Sequence, residues 1–556
     1  MCALVFVVIG LRLVDVQALG GDRYEQLGLS QRVRTVELAA ERGSIFDRNG
    51  NDLAVSVQQQ TVWADPTFIE DPTATAAALA PILGRDEGEL TLDLARGGTA
   101  FVYLARQVDD AVAEQVAALE LPGIGLLPES ERFYPSTTLA APVIGWVGTD
   151  NEGLGGLESQ YEDLLTGEPG QIVVEQDPQG REIPAGDRQV TPSERGGDLV
   201  LTIDQSLQYE TERVLVDEVE AVGARGGTAV VIDVQTGQIL AMATVEGATA
   251  GEPARPAPPL ENNRAVTDVY EPGSTNKVIT VAGALENDVV SPGTWYEVPS
   301  ELTVDDTVFE DVTEHEPAMT VADIVRQSSN VGTILIARAL GQARFDEALR
   351  AFGFGTPTGV GFPGEPPGIV LPLDDYNDTS LASIPVGNGI AVTALQMLQV
   401  YATIANGGVM VTPSLVAATV DADGTRHDVP APTARTVVTP ETAAEMQVML
   451  ESVVADGTGT LAAVPGYRVA GKTGTARKPP YNEPPYRYVA SFAGFAPADD
   501  PRLAAIVVLD EPADAYFGGQ VAAPVFAQIM QYALRLERVP PTGGSEVPPG
   551  NLEPSG

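Results

Sequence analysis

The sequence predicts an α/β protein in two modules. Residues 196–540 carry a mixed, mainly antiparallel sheet with helices on its faces, and residues 21–195 form an α+β module of short strands and helices before it. Three observations carry this reading. Apolar, β-branched runs stand at both ends of the C-terminal module with helix-like segments between them, so strands from the two ends close one sheet. Asn49-Gly50, just before Leu53-Ala54-Val55, is a hairpin signal within a stretch that mixes short strands and short helices. Pro184 to Gly197 is polar and carries glycine and proline, which marks the junction.

Taken in order, Met1 to Leu11 is apolar, then Arg12 and Asp15 interrupt. A membrane span takes about 20 apolar residues, so residues 1–20 are expected to be the end of a transmembrane anchor that begins upstream. Within the N-terminal module, Ala74–Ala80 and Asp109–Leu119 read as short helices. Beyond the junction, Asp198–Asp204 is a strand leading into a helix that runs to Val222. Thr228–Asp233 and Gln238–Ala243 form a hairpin through Val234-Gln235-Thr236-Gly237, with both strands largely buried. Val489–Phe495 and Arg502–Leu509 are the second strand set, separated by a loop with Pro497 and Pro501. Residues 541–556 are rich in proline and glycine and are expected to be a disordered tail.

Composition removes several functions. The chain has 77 acidic and 32 basic side chains, a formal charge of −45, and a pI near 4.2. Nucleic-acid binding needs a basic footprint, so no nucleic-acid partner is expected. The single cysteine, Cys2, rules out intrachain disulfides and thiolate zinc sites. The two histidines, His315 and His427, lie in polar stretches and read as exposed loop residues. Neither a Ser-His-Asp triad nor a histidine metal site has much to draw on, and no cofactor or metal is expected.

The basic residues are more telling, because 29 are arginine and only three are lysine: Lys277, Lys472 and Lys478. Arginine keeps its proton, whereas a buried lysine can become a neutral base. Ser274-Thr275-Asn276-Lys277 leads into the helical run Val278–Leu285, and a spacing of three puts serine and lysine one helical turn apart. Ser328-Ser329-Asn330 follows the helix-like stretch Val321–Gln327. Lys472-Thr473-Gly474-Thr475 reads as strand, with Gly474 admitting a close neighbour. Singly, these segments are a surface helix, a serine-rich helix end and a glycine bulge. Their combination, which takes two of the three lysines, is not explained by chance. Lys478 lies outside all of them and reads as a solvated loop residue.

The ordered set Ser-x-x-Lys, Ser-x-Asn, Lys-Thr-Gly resembles the active-site motifs of penicillin-binding proteins and serine β-lactamases. The wider match, from Arg42-Gly43 through Asp47-Arg48-Asn49-Gly50 to the last strands, is to the class B penicillin-binding proteins. Gly153–Glu158 and Gly387-Asn388-Gly389-Ile390 resemble further family segments, although glutamine is commoner at the position of Asn388. The Tyr270-Glu271-Pro272-Gly273-Ser274 context resembles the cell-division, FtsI-like branch.

The resemblance implies a penicillin-binding, β-lactamase-like transpeptidase fold, with residues 21–195 as pedestal or dimerisation domain. It implies a D,D-transpeptidase acting on peptidoglycan stem peptides, with a D-Ala-D-Ala donor and an amine acceptor, acylated by β-lactams. Ser274 would be the nucleophile and Lys277, its pKa lowered by burial and by Lys472, the base. Ser328 would relay a proton, and Asn330 would hold the substrate amide. Lys472, Thr473 and Thr475 would bind the terminal carboxylate around Gly474, and the Ser274 and Thr475 N–H groups would form the oxyanion hole. Arg42 and Glu158 would serve the structure of the pedestal. A single-pass membrane anchor with the catalytic domain outside the cytoplasm, and partners such as a SEDS-type glycosyltransferase and other division proteins, follow from the same resemblance. An elongation-type relative, a D,D-carboxypeptidase or β-lactam hydrolase, and a silent scaffold of the same fold are the alternatives.

Overall fold

The computed structural model describes residues 33–99, 101–175, 188–248, 253–258, 262–481 and 483–543. The expected anchor and all but the first three residues of the expected tail lie outside them. In the described residues, no helix is long and apolar enough to cross a membrane.

The N-terminal module is built from β1 (Val33–Leu38), β2 (Ile45–Phe46), β3 (Asp52–Ala64), α1 (Pro72–Leu83), α2 (Glu87–Leu94), β4 (Val102–Val108), α3 (Asp110–Ala117), β5 (Ile124–Phe133), β6 (Gly170–Glu175) and β7 (Arg188–Thr191). The Asn49-Gly50 turn joins β2 to β3, with Gly50 at a positive φ of 85°. The Asp47 carboxylate ties the turn by accepting from the Asn49 and Asn51 N–H groups. β3 pairs with both β4 and β5, and the three helices cover it through Val62, Leu79, Leu90 and Val116.

At the root of this module Arg42, Arg132 and Glu158 form a buried charged cluster with the half-exposed Glu162 at its edge. Arg42 Nε and Arg132 Nε donate to the two carboxylate oxygens of Glu158, each at 2.7 Å, and Arg42 also reaches Glu162 at 2.7 Å. Removing the Glu158 carboxylate deprives both buried guanidinium groups of their shared anion, leaving Arg42 to Glu162 and both to neutral acceptors. Glu158→Ala is therefore expected to lower stability by about 3–5 kcal/mol, read as a fall in the denaturant midpoint. A loss below 1 kcal/mol would mean that the cluster behaves like a surface pair.

β8 (Asp198–Leu201) runs parallel to β2 and antiparallel to a later strand, so one sheet continues across the junction. The C-terminal module then adds α4 (Gln205–Ala221), β9 (Gly226–Asp233), β10 (Ile239–Glu246), β11 (Arg255–Pro256), α5 (Lys277–Glu286), β12 (Glu301–Val304), β13 (Thr307–Glu310), α6 (Val321–Gln327), α7 (Asn330–Leu340), α8 (Ala394–Ala405), β14 (Val416–Val420), α9 (Pro440–Asp456), β15 (Ala470–Arg477), β16 (Tyr488–Ala496), β17 (Leu503–Asp510) and α10 (Gly518–Leu536).

Its main sheet has the order β11-β10-β9-β17-β16-β15, so the early hairpin meets the late strands at β9–β17 as expected. Every pairing within it is antiparallel: sequential neighbours are joined by reversals of the chain, and β9 and β17 close the sheet from its two ends. Alternation along β9 shows a sheet covered twice. Ala229 and Val231 face the layer of α4 and α10, while Val230 and Ile232 face that of α5, α8 and α9. Nine of ten residues of α5 are buried; a helix apolar on all sides belongs at the centre of its module. Lys277 is its first residue.

Candidate active site

The segment before α5, expected to lead into the helical run Val278–Leu285, is a 3₁₀ turn, Gly273–Asn276. In a 3₁₀ turn residues three apart eclipse one another, which brings the Ser274 and Lys277 side chains into line. Gly273 needs its positive φ of 57° here, and its N–H donates to the Gly387 carbonyl at 3.0 Å. Asn276 Nδ2 donates to the Ile384 carbonyl at 2.7 Å, and the buried Tyr401 hydroxyl donates to the Thr275 carbonyl at 2.9 Å. Ser274 is partly exposed between buried neighbours, so the turn around it is held in place.

Lys277 is 2% exposed. Its Nζ donates to the Ser328 carbonyl at 2.6 Å and to Asn330 Oδ1 at 2.7 Å, and lies 3.3 Å from Ser328 Oγ. The first two partners only accept. A neutral amine spends both N–H bonds on them and keeps its lone pair for a hydroxyl. Burial lowers the Lys277 pKa to about 7, against the opposing pull of the Asp311 charge.

The geometry of the serine segment explains its pattern. Ser328 ends α6 in the left-handed region, φ 62°, which turns its carbonyl and hydroxyl onto Lys277. Ser329 is the N-cap of α7, its Oγ accepting from the Gly332 N–H at 2.8 Å. The middle serine is thus the helix cap, and the residues on either side of it meet the lysine.

β15 forms the open edge of the main sheet, so alternate backbone groups of Lys472–Arg477 are available to an extended chain. Gly474 is where this strand passes the turn of Ser274. An added Cβ would lie 2.3 Å from Ser491 Oγ and 2.8 Å from the Pro272 carbonyl. Thr475 Oγ1 accepts from the Gly518 N–H at 3.1 Å, and Thr473 Oγ1 lies 3.0 Å from Thr458 Oγ1.

Lys472 is fully buried, and burial pushes its pKa well below the ordinary lysine value; the charge of Lys277 pushes the same way. Two buried amines that sense each other do not both hold a proton easily near neutrality. This modifies the expectation of Lys472 as a standing cation, since its charge needs an anion to sustain it. For Lys277, burial is the leading cause of the lowered value, as expected, but the second influence is Asp311, which opposes it, and not Lys472.

Three residues were misjudged from sequence. The His315 side chain is 4% exposed and paired with Asp311 at 2.8 Å, where an exposed loop residue was expected. His427 is exposed as expected, but it sits on a short strand, Arg426–Asp428, and contacts Asp421. Lys478 is ion-paired to Asp510 and Glu511 and is not freely solvated. Asp311 was missed altogether: it accepts from the Asn330 and Val331 N–H groups and from Ser329 Oγ. Nothing in Glu310-Asp311-Val312 marks it. Glu271, which accepts from the Gly389 N–H and the Tyr481 hydroxyl, each at 3.0 Å, also went unassigned. It borders a cavity of about 640 Å³ that opens past Ala476 and Arg477.

Comparison with known proteins follows this geometry. Residues 227–531 match the family model of the penicillin binding protein transpeptidase domain, and residues 37–201 that of the penicillin-binding protein dimerisation domain. Over 95% of its length the chain is 36% identical to the peptidoglycan D,D-transpeptidase FtsI of Escherichia coli, covering 89% of that protein. It is 34% identical to the penicillin-binding protein PbpB of Mycolicibacterium smegmatis, over 97% of this chain and 89% of the relative. It is also similar in structure to penicillin binding protein 3 of Mycobacterium tuberculosis complexed with aztreonam. There the TM-score is 0.70 at 30% identity, over 92% of this chain and 98% of that one.

Proposed function

The chain belongs to the class B penicillin-binding proteins, the FtsI-like peptidoglycan D,D-transpeptidases, and from that premise we propose how its residues carry the reaction. The observation that supports the reading most is the buried Lys277 amine, one 3₁₀ turn from Ser274 and held by Ser328 and Asn330. Ser274 Oγ attacks the carbonyl of the penultimate D-Ala of a stem peptide while Lys277 takes its proton. The N–H groups of Ser274 and Thr475 receive the developing oxyanion. The bond to the terminal D-Ala breaks, its amine gaining a proton through Ser328, and an acyl-serine remains. The amine of a second stem peptide then attacks, gives its proton to Lys277, and returns Ser274 as the alcohol.

The donor lies along the open edge of β15, with its amide on Asn330. Its terminal carboxylate sits against Thr473, Thr475 and Lys472, where the anion restores the lysine's charge. β-Lactams present the same acyl group and carboxylate and so acylate Ser274. The enzyme is anchored by the apolar N-terminal run, works outside the cytoplasm in septal wall synthesis, and partners a SEDS-type glycosyltransferase and other division proteins. The two modules are residues 21–195 and 196–540.

A fluorescent penicillin tests the chemistry. It is expected to label the wild-type chain at the peptide that contains Ser274, by mass spectrometry, and to leave Ser274→Ala unlabelled with an unchanged melting temperature. A folded wild-type protein that takes no label would overturn the reading in favour of a silent scaffold.

A further inference from the structure

Behind the Ser328–Asn330 corner lies a second ionic layer that the reaction as written does not use. Asp311 follows directly on β13, and its side chain is 4% exposed. One carboxylate oxygen accepts from the Asn330 N–H and, at 3.1 Å, from the Val331 N–H. The other accepts from Ser329 Oγ at 2.7 Å and faces His315 Nε2 at 2.8 Å. The neighbouring Glu310 carbonyl takes Asn330 Nδ2 at 2.8 Å. Asn330 is therefore gripped at its backbone by Asp311 and at its amide by Glu310, with Oδ1 left for Lys277.

The histidine contacts define its charge state. His315 Nδ1 lies 2.9 Å from the Glu316 carbonyl, and Nε2 faces a carboxylate. Both oxygens only accept, so both ring nitrogens are satisfied only when both carry hydrogen, which is the imidazolium. The Glu316 carbonyl and then Asp311 raise the His315 pKa accordingly. The other charged groups around the pair are few. Lys277 faces it from α5, with Lys472 beyond on β15. Glu310, Glu314 and Glu316 on the pair's own segment are exposed. Arg326, at the end of α6, is turned to Asp323 and Asp456.

We propose that Asp311 and His315 are a positioning pair for the transpeptidase reaction. Asp311 holds the Ser328-Ser329-Asn330 corner against Lys277, and the His315 imidazolium balances the carboxylate so that it does not trap the proton on the lysine. The proposal rests on the reading of Lys277 as the base that activates Ser274. An unbalanced Asp311 would favour the ammonium, because its negative charge already pulls the Lys277 titration upward.

The test is the rate of acylation by a fluorescent penicillin, followed across the pH range of the Lys277 titration. It uses the whole chain as wild type, His315→Gln, His315→Lys and Asp311→Asn, each with a melting curve. His315→Gln removes the balancing charge, and the acid limb should move up by about one pH unit. His315→Lys restores a cation and should return the limb towards wild type. Asp311→Asn should move it down by about as much, with a lower plateau as Asn330 loosens. Folded variants whose limbs do not move, or move the same way, would overturn the proposal. If Asp311→Asn does not fold, the contrast between His315→Gln and His315→Lys decides alone. A wild type that is not acylated at all would sink the reading of Ser274 and Lys277 instead.

Discussion

Lys277→Ala is expected to acylate with penicillin some 10²–10⁴-fold more slowly than wild type, the usual worth of a positioned base. The amine lies one turn past the proposed nucleophile, and burial keeps it competent near neutrality. Lys277→Arg should be as poor, since a guanidinium cannot give up its proton. In the wild type the acylation rate should rise with pH through about 7. Below that value Lys277 is protonated and the base is lost; above it the lone pair is free. Stopped-flow labelling over pH checks both statements. An alanine variant within tenfold of wild type, or a rate that falls as pH rises through 7, would remove Lys277 from the mechanism.

Gly387→Ala should disable the site without touching a reacting group. Gly387 backs directly onto the turn of Ser274, and a Cβ there would stand 2.0 Å from the Gly273 carbonyl oxygen and 2.5 Å from its nitrogen. Those are backbone atoms, so no rotamer change relieves the overlap. Overpacking of this kind costs about 1–3 kcal/mol. The positive φ of 88° adds about 1–2 kcal/mol for a residue with a side chain. The turn must shift, and a displacement of about 1 Å at a nucleophile costs on the order of 10² in rate. Gly389→Ala is the matched control: its φ is 77°, but a Cβ would meet nothing within 4 Å. Acylation rates and melting curves should separate the two variants sharply. Equal behaviour would show that the contact with Gly273 does not matter.

Much of this was legible from residue types. A hairpin at Asn49-Gly50 follows from backbone preference alone, and Val321–Gln327 is the helix the sequence predicted, to the residue. Gly474 was read as admitting a close neighbour, and its neighbours are Ser491 on the adjacent strand and the Pro272–Thr275 turn. The two histidines show the limit. Both lie in polar, acidic stretches, yet His427 has a side chain 54% exposed and His315 one of 4%. Local composition cannot tell them apart. His315 is covered because the chain after the β12–β13 hairpin lies against the start of α7, a contact between segments distant in sequence.

The amino-acid sequence by itself marked the candidate reactive groups and their order, because the proposed acyl transfer by a serine and a neutral lysine needs those residue types at those spacings. It also determined the antiparallel strands and the central apolar helix, since apolar periodicity and turn chemistry are local properties. Tertiary structure alone decided the charge states, which depend on which groups share a dry space. Burial sets Lys277 near neutrality, burial and then Lys277 oppose the protonation of Lys472, and an ion pair behind Asn330 replaces what looked like surface.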